Sequence, residues 1–233
     1  MPDGRIRWAR RYDGGLQEYV TWPTALLHRL PEAVSDIDGA MLEPLGVALH
    51  ALDLGRLRLG ATVGVFGCGP IGLLLVQLAR FAGATSVLAS DPLPHRREAA
   101  ARLGADQVWD PGSGQELAVS VDVAFEMAGT DAAVDDAVVA ARPGARVVMV
   151  GIPEGDTTTF RASLARRKGL TLVLAHRMNE TYPRAITLVE QGRVDVAALV
   201  TERYPIEAAP EAFAAAAPRR GLKIIVEPGR HLT

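Results

Sequence analysis

The 233-residue sequence has a single cysteine, Cys68, and few aromatic residues, which make up 5% of the chain. One thiol cannot form an internal disulfide or a multi-cysteine zinc site. The formal net charge is −2, so charge favours neither nucleic acid nor an anionic membrane as a partner. No apolar run reaches about 18 residues, and residues 1–5 precede no signal-peptide core, so we expect no membrane anchor. These absences predict a cytoplasmic protein.

Aliphatic residues are abundant, since 48% of the chain is hydrophobic, and this composition suits a sizeable core. From residue 61 onward, short apolar strands alternate with helical segments. The predicted strands cover residues 62–66, 86–90, 107–109, 121–125, 146–150 and 170–174, and the helices between them cover 71–80, 94–103 and 131–141. This alternation predicts an α/β fold, a doubly wound, parallel, six-stranded Rossmann sheet covered on both faces.

The two ends of the chain have a different pattern. Near the start, residues 16–22 read as a half-buried strand, and a helix is predicted from Ser35 or Asp36 toward Leu54, broken or kinked at Pro44. The tail has two predicted helices and a strand, over residues 182–191, 207–217 and 222–226. We expect both ends to form the remnant of a second, catalytic domain, which divides the chain into 1–42, 43–178 and 179–233.

A G-x-G-x-x-G pattern follows the first predicted strand and opens the next helix: Gly67-Cys68-Gly69-Pro70-Ile71-Gly72. Gly67 permits a tight turn, Gly69 lets the backbone approach a pyrophosphate, and Gly72 lets the helix pack against the strand. Pro70 suits an early helical position. The helix N-terminus then faces the anion. The segment from Gly67 to Gly72 is therefore a candidate cofactor-binding turn, and a plain strand-to-helix turn is the alternative.

Asp91 stands at the end of the second predicted strand, 19 positions after Gly72. A carboxylate there accepts hydrogen bonds from the adenosine ribose and repels a 2′-phosphate, which favours NAD over NADP. The alternative for Asp91 is a helix-capping aspartate. Arg96 leaves two interpretations open, because it could lie against the adenine or attract a phosphate. Cys68 has no neighbouring base and is a poor candidate nucleophile.

The sequence resembles the zinc-dependent medium-chain alcohol dehydrogenases, in particular the sorbitol, xylitol and threonine dehydrogenases. The resemblance covers almost the whole chain. Besides the glycine turn, Asp91 and Arg96, the motifs that carry it are Gly14-Gly15-Leu16-Gln17-Glu18-Tyr19-Val20, Leu42-Glu43-Pro44-Leu45, Glu126-Met127-Ala128-Gly129, Arg142-Pro143-Gly144, Val148-Met149-Val150-Gly151, Asn179-Glu180-Thr181-Tyr182-Pro183 and Leu222-Lys223-Ile224.

This resemblance implies roles for individual residues. Asp91 would hold the ribose and Arg96 would flank the adenine. The nicotinamide side of the cofactor would be lined by Ala128, Val150, Gly151 and Ile152. Arg177 matches a segment that approaches substrate and cofactor, and Glu43 matches a position in or beside the catalytic zinc shell. Glu43 is thus the candidate catalytic and metal-binding residue.

The sequence departs from this family in its metal ligands. Family members carry a zinc-ligand cysteine, a His-Glu pair and often a four-cysteine lobe in an amino-terminal region that has no counterpart here. Catalytic zinc takes three protein ligands, so Glu43 alone does not make the site. The expected cofactor is NAD, and the ligand set for zinc is incomplete.

Three functions remain in competition. The first is an oxidoreductase that transfers a hydride between NAD(H) and a secondary alcohol or polyol, or the matching ketone. The second is an NAD-binding module without catalysis. The third is a zinc-free quinone or enoyl reductase, which Asp91 fits poorly because such reductases commonly use NADP. The resemblance also implies a small-molecule substrate and a homodimer formed through an edge strand near residues 157–165.

Overall fold

A six-stranded, all-parallel sheet forms the centre of the computed structural model, which describes residues 14–229. Its strands are β1 Thr62–Phe66, β2 Ser86–Ser90, β3 Gln107–Trp109, β4 Val121–Glu126, β5 Ala141–Met149 and β6 Thr171–Leu174. The spatial order is β3-β2-β1-β4-β5-β6. The order reverses between β1 and β4, and in such sheets ligands bind in the crevice at the carboxyl ends of these two strands. The predicted doubly wound fold is confirmed.

Helices cover both faces of the sheet, as right-handed crossovers between parallel strands require. They are α1 Asp36–Ala40, α2 Leu42–Gly55, α3 Pro70–Phe81, α4 Pro94–Arg102, α5 Asp131–Ala140, α6 Ala162–Lys168, α7 Tyr182–Glu190 and α8 Ala209–Ala216. Within residues 14–229, none of them combines the length and the apolar character that crossing a bilayer needs.

The core has two layers, one on each face of the sheet. Val63 and Val65 of β1 pack with α2, α3 and α7, whereas Phe66 at the end of the same strand packs with α5. Successive strand residues point to opposite faces, so one short apolar strand supplies both layers. The sheet is thereby held from both sides, and its carboxyl edge is left for the connecting turns.

A break at Met41 separates α1 from α2. Ser35 caps α1, since its hydroxyl accepts a hydrogen bond from the Asp38 N–H while the Asp38 carboxylate accepts one from the Ser35 N–H. Pro44 lies in the first turn of α2, where a missing N–H leaves no intrahelical bond unmade. The break predicted at Pro44, after Leu42, is therefore misplaced: it lies at Met41, and α2 continues through Pro44.

Two predictions for single elements are wrong. Residues 16–22 form no strand, and Leu16, Tyr19 and Val20 are exposed, because no neighbouring strand among the described residues pairs with them. The edge strand expected near residues 157–165 is also absent: residues 157–161 have no regular structure and 162–168 form α6. The edges of the sheet are β3 and β6 instead.

The prediction that the tail does not extend the main sheet is confirmed. β7 Val200–Pro205 and β8 Lys223–Glu227 form a separate two-stranded parallel sheet, against which α8 packs. By contrast, α7 packs on α2 and contributes Ala185 and Ile186 to the main core. The expected pairing of the tail with the chain start falls partly on residues 1–13, which lie outside the described residues. The division at 42 and 178 stays a prediction.

Lys168 closes the carboxyl end of α5 from a neighbouring helix. Its ammonium donates to the carbonyls of Val138 at 3.1 Å, Val139 at 2.6 Å and Ala141 at 2.7 Å. Burial, and then the charge of Arg161, lower the pKa of Lys168. Cations stabilise a helix carboxyl end, whose last carbonyls lack intrahelical partners.

Replacing Lys168 by methionine keeps the aliphatic stem and removes three hydrogen bonds. We expect the free energy of unfolding to fall by about 1–2 kcal/mol, as measured by urea denaturation followed by circular dichroism. Arg167→Met, at an exposed neighbour in α6, is the matched control and should change it by less than about 0.5 kcal/mol. Equal effects of the two substitutions would contradict the capping role.

Candidate cofactor site

The turn after β1 is built so closely that its first and last glycines admit no side chain. Gly67 has a φ of +110°, and a Cβ there would lie 2.9 Å from the Ala128 nitrogen. A Cβ on Gly72 would lie 1.9 Å from the Gly67 carbonyl oxygen. Gly67 also donates from its N–H to the Ser90 carbonyl at 2.7 Å, which ties the turn to the end of β2. Both glycines therefore have the packing roles predicted for them.

The amino terminus of α3 opens onto this turn. Its N-cap is Gly69, no side chain caps it, and Pro70 occupies the first turn. A Cβ on Gly69 would meet nothing within 4 Å, and Gly69, Pro70 and Ile71 are all half-buried rather than enclosed. An uncapped helix amino terminus with open space before it suits an anion such as a pyrophosphate.

Asp91 lies at the mouth of the turn. Its side chain is buried, with Oδ2 accepting from the Cys68 N–H at 2.9 Å and Oδ1 accepting from the Leu93 N–H at 2.9 Å. Two bonds leave part of the acceptor capacity of a carboxylate unused. The carboxylate is thus locked to the glycine turn from the neighbouring strand, which is the juxtaposition that the spacing of 19 residues predicts.

Arg96 pairs with Asp91, with 3.6 Å between Nη1 and Oδ2. Its Nε is buried and has no hydrogen-bond partner within the part of the chain that the structure describes. Arg96 also lines a cavity of about 190 Å³ together with Arg219 and Lys223. A buried donor without a partner, in a cavity lined by two further cations, suits a polar, anionic ligand group there.

The strand order reverses between β1 and β4, at the switch point of the sheet. On the β4 side of this switch point, the turn after β4 and the turn after β5 touch each other. A Cβ on Gly129 would lie 2.3 Å from the Ile152 carbonyl oxygen, and one on Gly151 would lie 2.0 Å from the Gly129 nitrogen. Ala128 is exposed, Val150 packs against the core, and Ile152 is 89% exposed. These predicted nicotinamide-lining residues are therefore brought together, with an apolar side chain facing solvent.

Glu126 holds these two turns in place. It ends β4, is 1% exposed, and accepts at Oε1 from the Ala128 N–H at 2.7 Å and from the Gly129 N–H at 2.6 Å. Burial raises the pKa of Glu126, while backbone hydrogen bonds from both turns oppose that rise. Sequence reasoning quoted this residue only within a motif. An acidic residue that ends a buried strand and is followed by a glycine turn was the available signal.

Comparisons with known proteins agree with this architecture. Residues 70–191, just over half of the chain, match the family described as zinc-binding dehydrogenase. The chain belongs to the zinc-binding dehydrogenase family. It is 29% identical to sorbitol dehydrogenase of Bacillus subtilis over 98% of this chain and 68% of the relative. It is 34% identical to human sorbitol dehydrogenase over 92% of this chain and 63% of the relative. The chain thus spans about two thirds of the length of these relatives.

Solved structures show the same likeness. A protein from Sinorhizobium meliloti described as a zinc-binding dehydrogenase bound to NADP superposes with a TM-score of 0.85 at 31% identity, over 93% of this chain and 66% of that one. For 2R,3R-butanediol dehydrogenase from Bacillus subtilis, the TM-score is 0.78 at 30% identity, over 86% of this chain and 60% of that one.

The zinc-binding dehydrogenase family is named for zinc, but residues 14–229 do not supply a set of zinc ligands. No group of three His, Cys, Asp or Glu side chains in this range could hold a metal ion. Glu43 is exposed in the first turn of α2, and its charge, after burial, raises the pKa of Tyr182. Glu43 is therefore near Tyr182, but the described residues supply no co-ligands for it. The predicted role of Glu43 as a metal ligand finds no support among them.

Arg177 lies three residues after the end of β6, at the carboxyl edge of the sheet, and is exposed. Its φ is +54°, and that of Asn179 is +50°. Non-glycine residues adopt such backbone angles rarely, and clusters of them occur at functional sites. Asn179 also contacts His50 of α2, with 3.3 Å between Nδ2 and Nδ1. This segment is therefore tied to α2.

The single cysteine gives a test of the closed glycine turn. Cys68 is fully buried, and its Sγ–H donates to the Ser90 carbonyl at 3.4 Å. Burial, together with the negative charge of Asp91, raises the pKa of the Cys68 thiol to about 12. Because the thiolate is the reactive form, we expect the folded protein to resist a disulfide-exchange reagent at pH 8.

In this labelling experiment, one thiol per chain should react after unfolding in urea, and native protein should react at least about 100-fold more slowly. The absorbance of the thiol anion that the reagent releases measures both the number of reacting thiols and the rate of the reaction. Rapid labelling of the native protein would mean that the turn is open, which contradicts the burial of Cys68.

Proposed function

We propose that this chain is an oxidoreductase that transfers a hydride between NAD(H) and a secondary alcohol or polyol, or the matching ketone. The observation that carries the proposal is the buried Asp91 carboxylate, hydrogen-bonded to the Cys68 N–H inside the glycine turn. This geometry joins a ribose acceptor to an anion-binding helix terminus.

The cofactor would lie across the switch point of the sheet. The amino terminus of α3 and the turn from Gly67 to Gly72 would hold the pyrophosphate, and Asp91 the adenosine ribose. Arg96 would contact the adenosine end. The nicotinamide half would then lie over β4 and β5, against Ala128, Val150, Gly151 and Ile152, with Arg177 beyond them.

In this arrangement the bound dinucleotide supplies the hydride acceptor or donor, and the protein orients it. The α3 dipole and the Asp91 carboxylate fix one half of the cofactor, and the contact between Gly129 and Ile152 closes the floor beneath the other half. The exposed Ile152 side chain supplies an apolar surface that excludes water from the reacting ring. We propose that Glu43 acts at the substrate end, near Tyr182.

The substrate class is inferred from relatives, since the sorbitol and butanediol dehydrogenases are named for polyols. We also propose a homodimer, supported by the exposed Leu172 and Leu174 on the edge strand β6. A cytoplasmic location, NAD rather than NADP, and partners limited to small molecules and a second copy of the chain complete the proposal.

A second function has its own support. Residues 14–229 contain a glycine turn hydrogen-bonded to Asp91 at the carboxyl edge of the sheet but no set of three metal ligands. A module that binds NAD without catalysis fits this combination, because binding depends on the crevice alone whereas polarising an alcohol oxygen by zinc depends on the ligands.

One set of measurements separates the two. Isothermal titration with NADH, NADPH and ADP-ribose should show saturable binding, tightest for NADH. A panel of polyols and ketones, assayed by NADH absorbance with and without added Zn²⁺, should then show turnover. Binding without turnover would favour the non-catalytic module, and absence of binding to NADH and ADP-ribose would overturn both functions.

A further inference from the structure

Glu126 is a buried acidic residue whose ionised form places an isolated negative charge inside the protein. Its side chain is 1% exposed, and within residues 14–229 no cation forms an ion pair with it. Its partners are backbone N–H groups, those of Ala128 and Gly129. Such donors stabilise an ionised carboxylate but carry only partial charges, so much of the negative potential of Glu126 remains available to its surroundings.

The position of this charge relative to the crevice follows from the sheet topology. Glu126 pairs in register with Phe66 of β1 and with Met149 of β5, so it ends β4 at the carboxyl edge, next to the glycine turn. Asp91 marks the adenosine half on the β2 side of the switch point. The opposite half of a dinucleotide therefore lies over β4 and β5, on the side of Glu126.

Glu126 also determines the shape of the floor there. The N–H of Val150 donates to the Glu126 carbonyl at 2.8 Å, and a Cβ on Gly151 would lie 2.8 Å from Glu126 Oε1. One residue thus holds the turn at Ala128 and Gly129 with its side chain and the turn at Val150 with its backbone. These are the two turns that touch at Gly129, Gly151 and Ile152.

We propose that Glu126 is a positioning residue that fixes the floor of the nicotinamide half and whose buried negative charge favours the oxidised cofactor. The oxidised nicotinamide ring is a pyridinium cation and the reduced ring is neutral, so a fixed anion below the ring attracts only the former. This inference rests on the proposed function, because it requires a nicotinamide dinucleotide in the crevice.

The test compares three ligands by isothermal titration at fixed ionic strength. NAD⁺ carries the cationic ring, benzamide adenine dinucleotide carries a neutral ring of the same shape, and ADP-ribose carries no ring. For the wild-type chain we expect NAD⁺ to bind about three- to tenfold more tightly than the benzamide analogue, as expected for unit charges several ångströms apart in a partly screened site. This comparison needs no variant. Equal affinities would overturn the proposal.

Two variants separate charge from geometry. Glu126→Gln removes the charge at nearly constant shape and should make the affinities for NAD⁺ and the benzamide analogue equal, while ADP-ribose binding changes less than twofold. Glu126→Asp keeps the charge but shortens its reach, so both ring-bearing ligands should bind more weakly while NAD⁺ keeps its advantage. Near-ultraviolet circular dichroism verifies that each variant is folded.

The matched control is Glu154→Gln, which removes one negative charge from an exposed position in the loop after β5. It should leave the preference for NAD⁺ unchanged. A loss equal to that in Glu126→Gln would mean that the effect comes from net charge and would overturn the role of Glu126. If wild-type protein binds no ADP-ribose, the proposed function itself fails. If it binds ADP-ribose but shows no preference between the rings, only this inference fails.

Discussion

Replacing Gly72 by alanine should both destabilise the protein and abolish cofactor binding. The new Cβ would lie 1.9 Å from the Gly67 carbonyl oxygen, which is backbone and cannot rotate away. Either α3 moves away from β1 or the turn changes shape, and such overpacking costs up to about 3 kcal/mol. The gain of up to about 1 kcal/mol from replacing a helical glycine offsets only part of that cost. Denaturant unfolding and NADH titration measure the two effects.

Gly69→Ala is the matched control three residues earlier. A Cβ there meets nothing within 4 Å, and Gly69 has a φ of −67°, which any residue adopts. We therefore expect unchanged stability, within about 0.5 kcal/mol, but at least tenfold weaker NADH binding, since the methyl group occupies the approach to the helix terminus. Normal NADH affinity in Gly69→Ala would show that no pyrophosphate lies there.

Replacing Asp91 by asparagine should have the second largest effect on binding. The substitution keeps the shape of the side chain but removes the negative charge of the carboxylate. That carboxylate accepts a hydrogen bond from the Cys68 N–H and pairs with Arg96. Hydrogen bonds to a charged group contribute about 1.5–3 kcal/mol, so NADH affinity should fall about 10- to 100-fold. The affinity for NADPH should fall less or even rise, because the repulsion between the carboxylate and the 2′-phosphate disappears. The cations Arg96, Arg219 and Lys223 remain around the neighbouring cavity.

Titration of wild type and Asp91→Asn with NADH and NADPH measures this change in selectivity directly. Glu98→Gln, an exposed charge removal on α4, is the control and should leave both affinities within about twofold. An unchanged ratio of the two affinities in Asp91→Asn would remove the basis for preferring NAD.

Where the structure follows from short stretches of sequence, prediction worked well. The six strands of the main sheet were placed to within a few residues, because each is an apolar run bounded by turn residues. The largest difference is at β5, which was predicted to begin at residue 146 and begins at Ala141. Asp91 was found because its distance from Gly72 along the chain reflects one βαβ unit.

Features that depend on a distant neighbour were not predictable in this way. Residues 16–22 have the alternating pattern of a strand, but a strand exists only beside a partner, and the described residues offer none. The role of Glu126 depends on turns from two other strands meeting around it, which no local pattern encodes. Lys168 likewise stabilises a helix that ends 28 residues earlier, at Ala140.

The central position of β1 affects the order in which the crevice can assemble. β1 pairs with β2 and with β4, and β4 begins only at Val121, after β2, α4 and β3 have been synthesised. Until then one edge of β1 is bare, and Gly67 lacks the Ala128 backbone against which it packs. Nucleotide affinity should therefore arise late, as a marker of a finished sheet rather than of an early folding intermediate.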